Sequence, residues 1–133
     1  MVFVDTSALL AVLDGDDSRH EAAFASWRAM LNDGARLVSS NYIVIECAAL
    51  VQKRLGMPDL RRLLSEILLP VRVEWVTPDD HAAAQHVMLQ ADRRSLSWVD
   101  CTSFVMMRRL RMRCSFTLDR HFAEQGFDAL PMP

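Results

Sequence analysis

The chain has 133 residues, enough for one domain spanning 1–133 and too few for two, and its 51% apolar content is ample for a core. A formal charge of −2 excludes a strongly basic, non-specific nucleic-acid binder, though not an enzyme that reads nucleic acid through a local patch. The cysteines, Cys47, Cys101 and Cys114, form no CxxC pair, which argues against a disulfide framework or a zinc site and for buried thiols in a reducing cytoplasm.

The amino terminus has no basic segment before its apolar residues, and no run approaches the length of a membrane span, so a soluble, cytoplasmic protein without membrane contact is expected. Val2–Val4 reads as a short buried strand ending in Asp5. Thr6 or Ser7 can cap a helix through Leu13, and the polar DGDDSR stretch is a loop. Residues 20–31 repeat apolar side chains at helical spacing (Ala23, Phe24, Trp27, Met30, Leu31), and NDG stops them. A second strand covers 37–38. Residues 42–55 predict a largely buried helix ended by Gly56, and 59–69 another, with a stripe of Leu60, Leu63, Leu64, Ile67 and Leu68. Residues 71–76 alternate as a strand. Thr77 and Pro78 open a helix to about Arg93, Ser97 another to about Leu110. Residues 114–118 form a strand, Asp119 opens a helical turn, and 129–130 can add an edge strand. Strands separated by helices predict an α/β fold, a parallel sheet with helices on both faces.

Four acids interrupt or end apolar stretches: Asp5 in MVFVD, Glu46 in NYIVIECAALV, Asp100 in SWVDCTSFVMM and Asp119 in CSFTLD. A lone ionised carboxylate out of water is strongly unfavourable unless it is paired or binds a metal. In an open parallel sheet, ligands bind beyond the carboxyl ends of the strands, where helix amino termini also point. Asp5 and Asp119 each come directly after a strand and Asp100 lies in a first helical turn, so the acids converge on one edge. Each aspartate also has a structural explanation. Asp5 can cap the helix after it, Asp119 can cap the turn at Arg120, His121 and Phe122, and Ser97 with Asp100 has capping-box spacing. Glu46, in the second turn of its helix, has no such use. A divalent cation shared by the four would neutralise them and suit phosphodiester cleavage.

In VFVDTSALLAVL, NYIVIECAALV, LSWVDCTSFVMM and FTLDRHFAEQGF, taken in order and at these separations, the whole chain resembles the PIN-domain ribonucleases, and in size their compact VapC-type toxins. The resemblance implies a three-layer α/β/α fold with a central parallel sheet of four to five strands. It implies that Asp5, Glu46 and Asp100 hold Mg2+ or Mn2+, with Asp119 completing the pocket directly or through water. Thr6 or Ser7 would orient Asp5, Ser97 would position Asp100, and Thr117 would support the Asp119 turn. His121 would lie at the pocket rim, with assistance to proton transfer as its other role, and Phe122 in the core. The implied function is endoribonuclease, with RNA as substrate, a small antitoxin protein as partner and a homodimer as the assembly.

Arg108, Arg109, Arg111 and Arg113, or Arg93 and Arg94, could touch RNA phosphates, or could simply complement helix ends. The leucines of 59–69 and the surroundings of Trp27 could form an interface or fill the core. Alternatives to the toxin are a catalytically silent PIN-like binding module and a housekeeping RNA-processing nuclease. A phosphoacceptor regulator would need a lysine beside the acids, and Lys53, the only lysine, lies two turns beyond Glu46.

Overall fold

The computed structural model describes residues 1–132. Its strands are β1 (Val2–Val4), β2 (Leu37–Ser40), β3 (Val71–Glu74), β4 (Cys114–Phe116) and β5 (Asp128–Leu130). They form one parallel sheet in the order β3-β2-β1-β4-β5. Helices α1 (Thr6–Leu13) and α2 (His20–Asn32) join β1 to β2. Helices α3 (Asn41–Arg54) and α4 (Met57–Arg62) lead to β3, α5 (Pro78–Ala91) and α6 (Trp98–Arg109) to β4, and the short α7 (His121–Glu124) to β5. This is the expected α/β/α arrangement, with five strands.

Period-two alternation in β1 explains the two cores. Val2 and Val4 pack with α1, α2 and Cys47 and Val51 of α3, whereas Phe3 packs with α5, α6 and Ile43. Both faces of the sheet are covered, so β1 reads as a continuous apolar run, and Ser39 and Ser40 of β2 and Ser115 of β4 are buried with it. From β1 the chain steps outward to β3, then returns to the other side of β1 as β4. The two connections leaving β1 and β4 therefore diverge, which opens a crevice at the carboxyl ends of these neighbours.

Several boundaries and faces differ from the sequence expectation. Only Ile43, Cys47 and Val51 of α3 are buried, a single stripe, and Ile45 is 70% exposed. The 59–69 helix is instead α4 continued by a π-helical turn, Leu63–Ile67. Of the leucine stripe, Leu63 and Ile67 are buried, Leu60 and Leu68 pack against the core, and Leu64 faces water, as does Leu69. Trp27 belongs to the core. Strand β3 ends at Glu74, short of residue 76, and leaves Trp75 largely exposed.

One ion pair ties the α5/α6 layer together. Asp80, buried in the capping box of α5, receives Arg109 Nε and Nη2 at 2.9 and 2.8 Å. Burial raises its pKa, and the Arg109 guanidinium with the Thr77 amide more than offsets this, leaving the carboxyl below its ordinary range. Arg109→Ala is expected to cost about 2–3 kcal/mol near neutral pH, because it strands a buried carboxylate. The pair's contribution is present above the ordinary aspartate pKa and is lost as pH falls through the depressed one. Urea melts of wild type and variant should therefore converge in acid, and an equal gap at every pH would contradict this assignment.

Candidate active site

The local chemistry of each loop places one acid at the crevice. Asp5 comes directly after β1 and is the N-cap of α1, so the cap is Asp5 rather than Thr6 or Ser7. Its Oδ2 accepts hydrogen bonds from the Ser7 hydroxyl at 2.6 Å, the Thr117 hydroxyl at 2.9 Å and the Ser7 amide at 3.3 Å. Thr117, just past β4, thus ties the two central strand ends together across 112 residues of sequence. It also accepts from the Asp119 amide at 3.0 Å, and Ser7 Oγ accepts from the Leu118 amide at 2.9 Å.

Asp100 sits in the first turn of α6 in a complete capping box. Its Oδ2 accepts from the Ser97 amide and its own amide donates to Ser97 Oγ, both at 3.0 Å. Asp119 Oδ1 accepts from the His121 amide at 2.9 Å and lies 2.6 Å from His121 Nδ1. A carboxylate can only accept, so that ring nitrogen donates, and Nε2 lies 3.3 Å from the Ser95 hydroxyl. His121 is therefore buried behind Asp119 and not at the pocket rim. Glu46 projects from the second turn of α3, half-buried, with no hydrogen bond among the described residues.

Asp5, Thr6, Ser7, Glu46, Asp100 and Asp119 line one pocket of about 370 Å³. Ser97, Thr117 and His121 stand behind it, each bonded to one of the aspartates. All three aspartates are anchored through a single oxygen: Asp5 and Asp100 through Oδ2, Asp119 through Oδ1. The second oxygen of each accepts nothing among the described residues. Capping and ligation are therefore compatible uses of these side chains, because they engage different oxygens.

The electrostatics fit a cation. Burial raises the Asp5 carboxyl from 3.8 to about 6 despite its bonds from Ser7 and Thr117, and Asp100 adds to the rise. Burial also raises Glu46, opposed by the nearby Thr6 hydroxyl and reinforced by Asp100. That hydroxyl is buried and makes no hydrogen bond of ordinary length. Asp100 is raised by burial, against the Ser97 cap, with Asp119 adding repulsion. A divalent ion with oxygen preference relieves all of these at once, so the donor set fits Mg2+ or Mn2+. The tightest grouping is Asp100, Asp119 and His121, whose candidate ligand atoms lie within 4.8 Å of one another. Asp5 and Glu46 are outside it, a separation that waters on Mg2+ can bridge. Cys47 and Cys101 are fully buried; burial, then the charges of Asp5 and Glu46, push the Cys47 thiol to about 12, and burial raises Cys101, as expected of packed rather than reactive thiols.

Sequence reasoning missed the pocket's cations, Arg19 and Arg54, and two further acids in its wall, Asp14 and Asp17. The signal for Arg54 was present: Glu46, Leu50 and Arg54 recur every four residues on α3 and all line the pocket. The arginines with candidate phosphate contacts lie elsewhere. Arg108 and Arg109 end α6, roughly 13 Å along its axis from Asp100, Arg108 bonds to Gln125 and lies over Phe127, and Arg93 pairs with Glu124.

The PIN-domain family model matches residues 2–128. The chain belongs to the PIN-domain family. This PIN domain is 31% identical over 128 residues to VapC20, a 23S rRNA-specific endonuclease from two strains of Mycobacterium tuberculosis, covering 96% of this chain and 95% of the relative. The crystal structure of M. tuberculosis VapC20, described as a sarcin–ricin loop cleaving toxin, aligns with a TM-score of 0.83 and 29% identity over 96% of each chain. FitAcB from Neisseria gonorrhoeae (TM-score 0.71, 15% identity, 97% of this chain and 96% of that one) shares the fold. So does PAE2754 from Pyrobaculum aerophilum (0.68, 19%, 97% and 88%). No helix among the described residues of this PIN domain is long and apolar enough to cross a membrane.

Proposed function

We propose that this PIN domain is a Mg2+- or Mn2+-dependent endoribonuclease, the toxin of a toxin–antitoxin pair, hydrolysing a phosphodiester bond of ribosomal or other loop RNA. The carrying observation is that Asp5, Asp100 and Asp119 each spend one oxygen on their own positioning, keep the other free of hydrogen bonds among the described residues, and line one pocket with Glu46. The similarity to VapC20 supports the substrate class. An unpaired loop offers backbone that a shallow acidic pocket can reach, which a duplex does not.

A bound divalent ion supplies an activated water and neutralises charge on the phosphate. The chain's own residues supply the geometry. Ser7 and Thr117 hold Asp5, the Ser97 cap holds Asp100, and His121 with the backbone holds Asp119. Glu46, unanchored, adjusts to the ligand. In the hydrolysis the water oxygen bonds to phosphorus, the bond from phosphorus to the leaving ribose oxygen breaks, and that oxygen takes up a proton.

An antitoxin that inhibits such a pocket would present an arginine, whose planar fork matches paired carboxylates. A homodimer, implied by the VapC-type resemblance, would have exposed apolar side chains such as Ile45, Leu69, Trp75 and Leu89 available to it.

The deciding experiment is cleavage of labelled RNA carrying a structured loop, with Mg2+ or Mn2+ and with chelator. Wild type is expected to cut only with metal, and Asp100→Asn to lose about two to three orders of magnitude of rate while keeping its circular dichroism. Cleavage that survives either treatment would show a contaminant or a different site.

A further inference from the structure

A second concavity adjoins the acidic pocket. Arg19 and Asp119 line both, so the two share a wall. This groove, about 500 Å³, is walled by Ala22 of α2, Leu118 and Pro131 beyond the ends of β4 and β5, and Arg120 and Ala123 at α7. Its floor is apolar, its volume is that of a small-ligand site, and its charged walls are cationic apart from the shared Asp119.

Both arginines are available. Arg120 has 80% of its side chain in water, and its nearest carboxylate, Glu124, is 3.8 Å away and already engaged by Arg93 at 2.9 Å. Arg19 donates to Asp17 through Nε at 3.3 Å and Nη2 at 3.5 Å, an exposed pair that is weak in solvent and open to exchange for a phosphate. The acidic pocket also shares Glu46 with a shelf of Asn41, Tyr42, Ile45 and Val99, which carries no cation. A polyanion held at the acids by one phosphate has its neighbouring phosphates repelled by the remaining carboxylates. It is stabilised where it leaves over Arg19 and Arg120.

We infer that this groove is the subsite for the nucleotide next to the scissile phosphate. The base and ribose lie on Leu118 and Pro131, and the outgoing phosphate lies between Arg19 and Arg120. The inference rests on the nuclease reading and adds to it a direction for the strand and a place where base preference is set. A nucleotide fits better than a protein segment because the groove shares Arg19 and Asp119 with the acidic pocket and pairs an apolar floor with two solvent-exposed guanidinium groups.

The test is kcat/KM on a fluorescein-labelled single-stranded oligoribonucleotide across a salt series, with Mg2+-induced melting shifts as the control for the acidic pocket. Ala123→Trp, which fills the groove from an exposed position, is expected to lower kcat/KM about tenfold through KM. Arg120→Ala is expected to lower it about fivefold and to flatten the log–log salt slope by about 0.7, one phosphate contact. Both variants should keep the wild-type Mg2+ shift. Wild-type kinetics and salt slope in both would overturn the subsite, including the case in which the groove seats a protein partner. If Ala123→Trp does not fold, the salt slope of Arg120→Ala decides alone. If wild type neither cuts nor binds RNA, the nuclease reading fails, and the subsite fails with it.

Discussion

Asp5→Asn is expected to abolish RNA cleavage and, without metal at neutral pH, to make the protein more stable. Asp5 is only 4% exposed, and burial lifts its carboxyl from 3.8 to about 6. Between these values the folded chain keeps a proton that the unfolded chain has lost. The stability of the metal-free protein therefore falls as pH rises across that interval, and the loss is complete above it. Asparagine has no charge to desolvate, and its carbonyl oxygen can still accept from Ser7 and Thr117. The gain near neutrality is about 1–3 kcal/mol, a rise of about 5 °C in Tm, and it should vanish in acid, where wild type is protonated. Thermal melts with chelator at several pH values measure this, alongside a cleavage assay. A variant that is less stable at every pH, yet cuts RNA, would remove Asp5 from the site.

The same residue shows what was legible in the sequence. A carboxylate after a buried strand, before a helix, admits two readings, cap and ligand, and spacing alone treats them as rivals. The choice dissolves only when oxygens are distinguished, because Oδ2 of Asp5 is the cap and its other oxygen is left without a hydrogen bond among the described residues. Topology was legible for a related reason. Apolar runs of strand length between helical patterns force parallel pairing, and parallel pairing brings Asp5 and Asp119 to one edge. Thr117 reads from the sequence only as support for the Asp119 turn, since nothing local announces a bond to a residue 112 positions away.

Packing against distant segments decided the remainder. His121 is buried because the loop carrying Ser95 closes over it, a contact without a local pattern. The leucines of 59–69 keep helical spacing in the sequence, but a π-helical turn has a different period, and side-chain spacing does not reveal it. Ile45 sits in an apolar run yet faces water, because α3 needs only one stripe against the sheet. Local hydrophobicity identifies the helix and leaves its orientation open. Arg108 and Arg109 are candidates by charge, although Asp100 at the start of α6 already places them at its far end.

Adding Mg2+ or Mn2+ to the metal-free protein is expected to raise Tm, and this response separates a cation site from acids that merely cap helices. An ion that binds only the folded chain stabilises it by about 2.7 kcal/mol at a hundredfold excess over Kd, or about 5–10 °C for a domain of this size. The pH trend should reverse as well. Protons compete with the ion for carboxyls that burial has raised, so stabilisation by metal grows as pH rises through about 6, the interval in which the metal-free protein weakens. The combined variant Asp5→Asn, Glu46→Gln, Asp100→Asn, Asp119→Asn should start from a higher metal-free Tm and show no response to either ion. Single variants rank the ligands, with Glu46→Gln diagnostic because that side chain has no capping bond to lose. If wild type melted at the same temperature with and without divalent ions, the three aspartates would be caps and nothing more. The resemblance to a nuclease would then be one of fold alone.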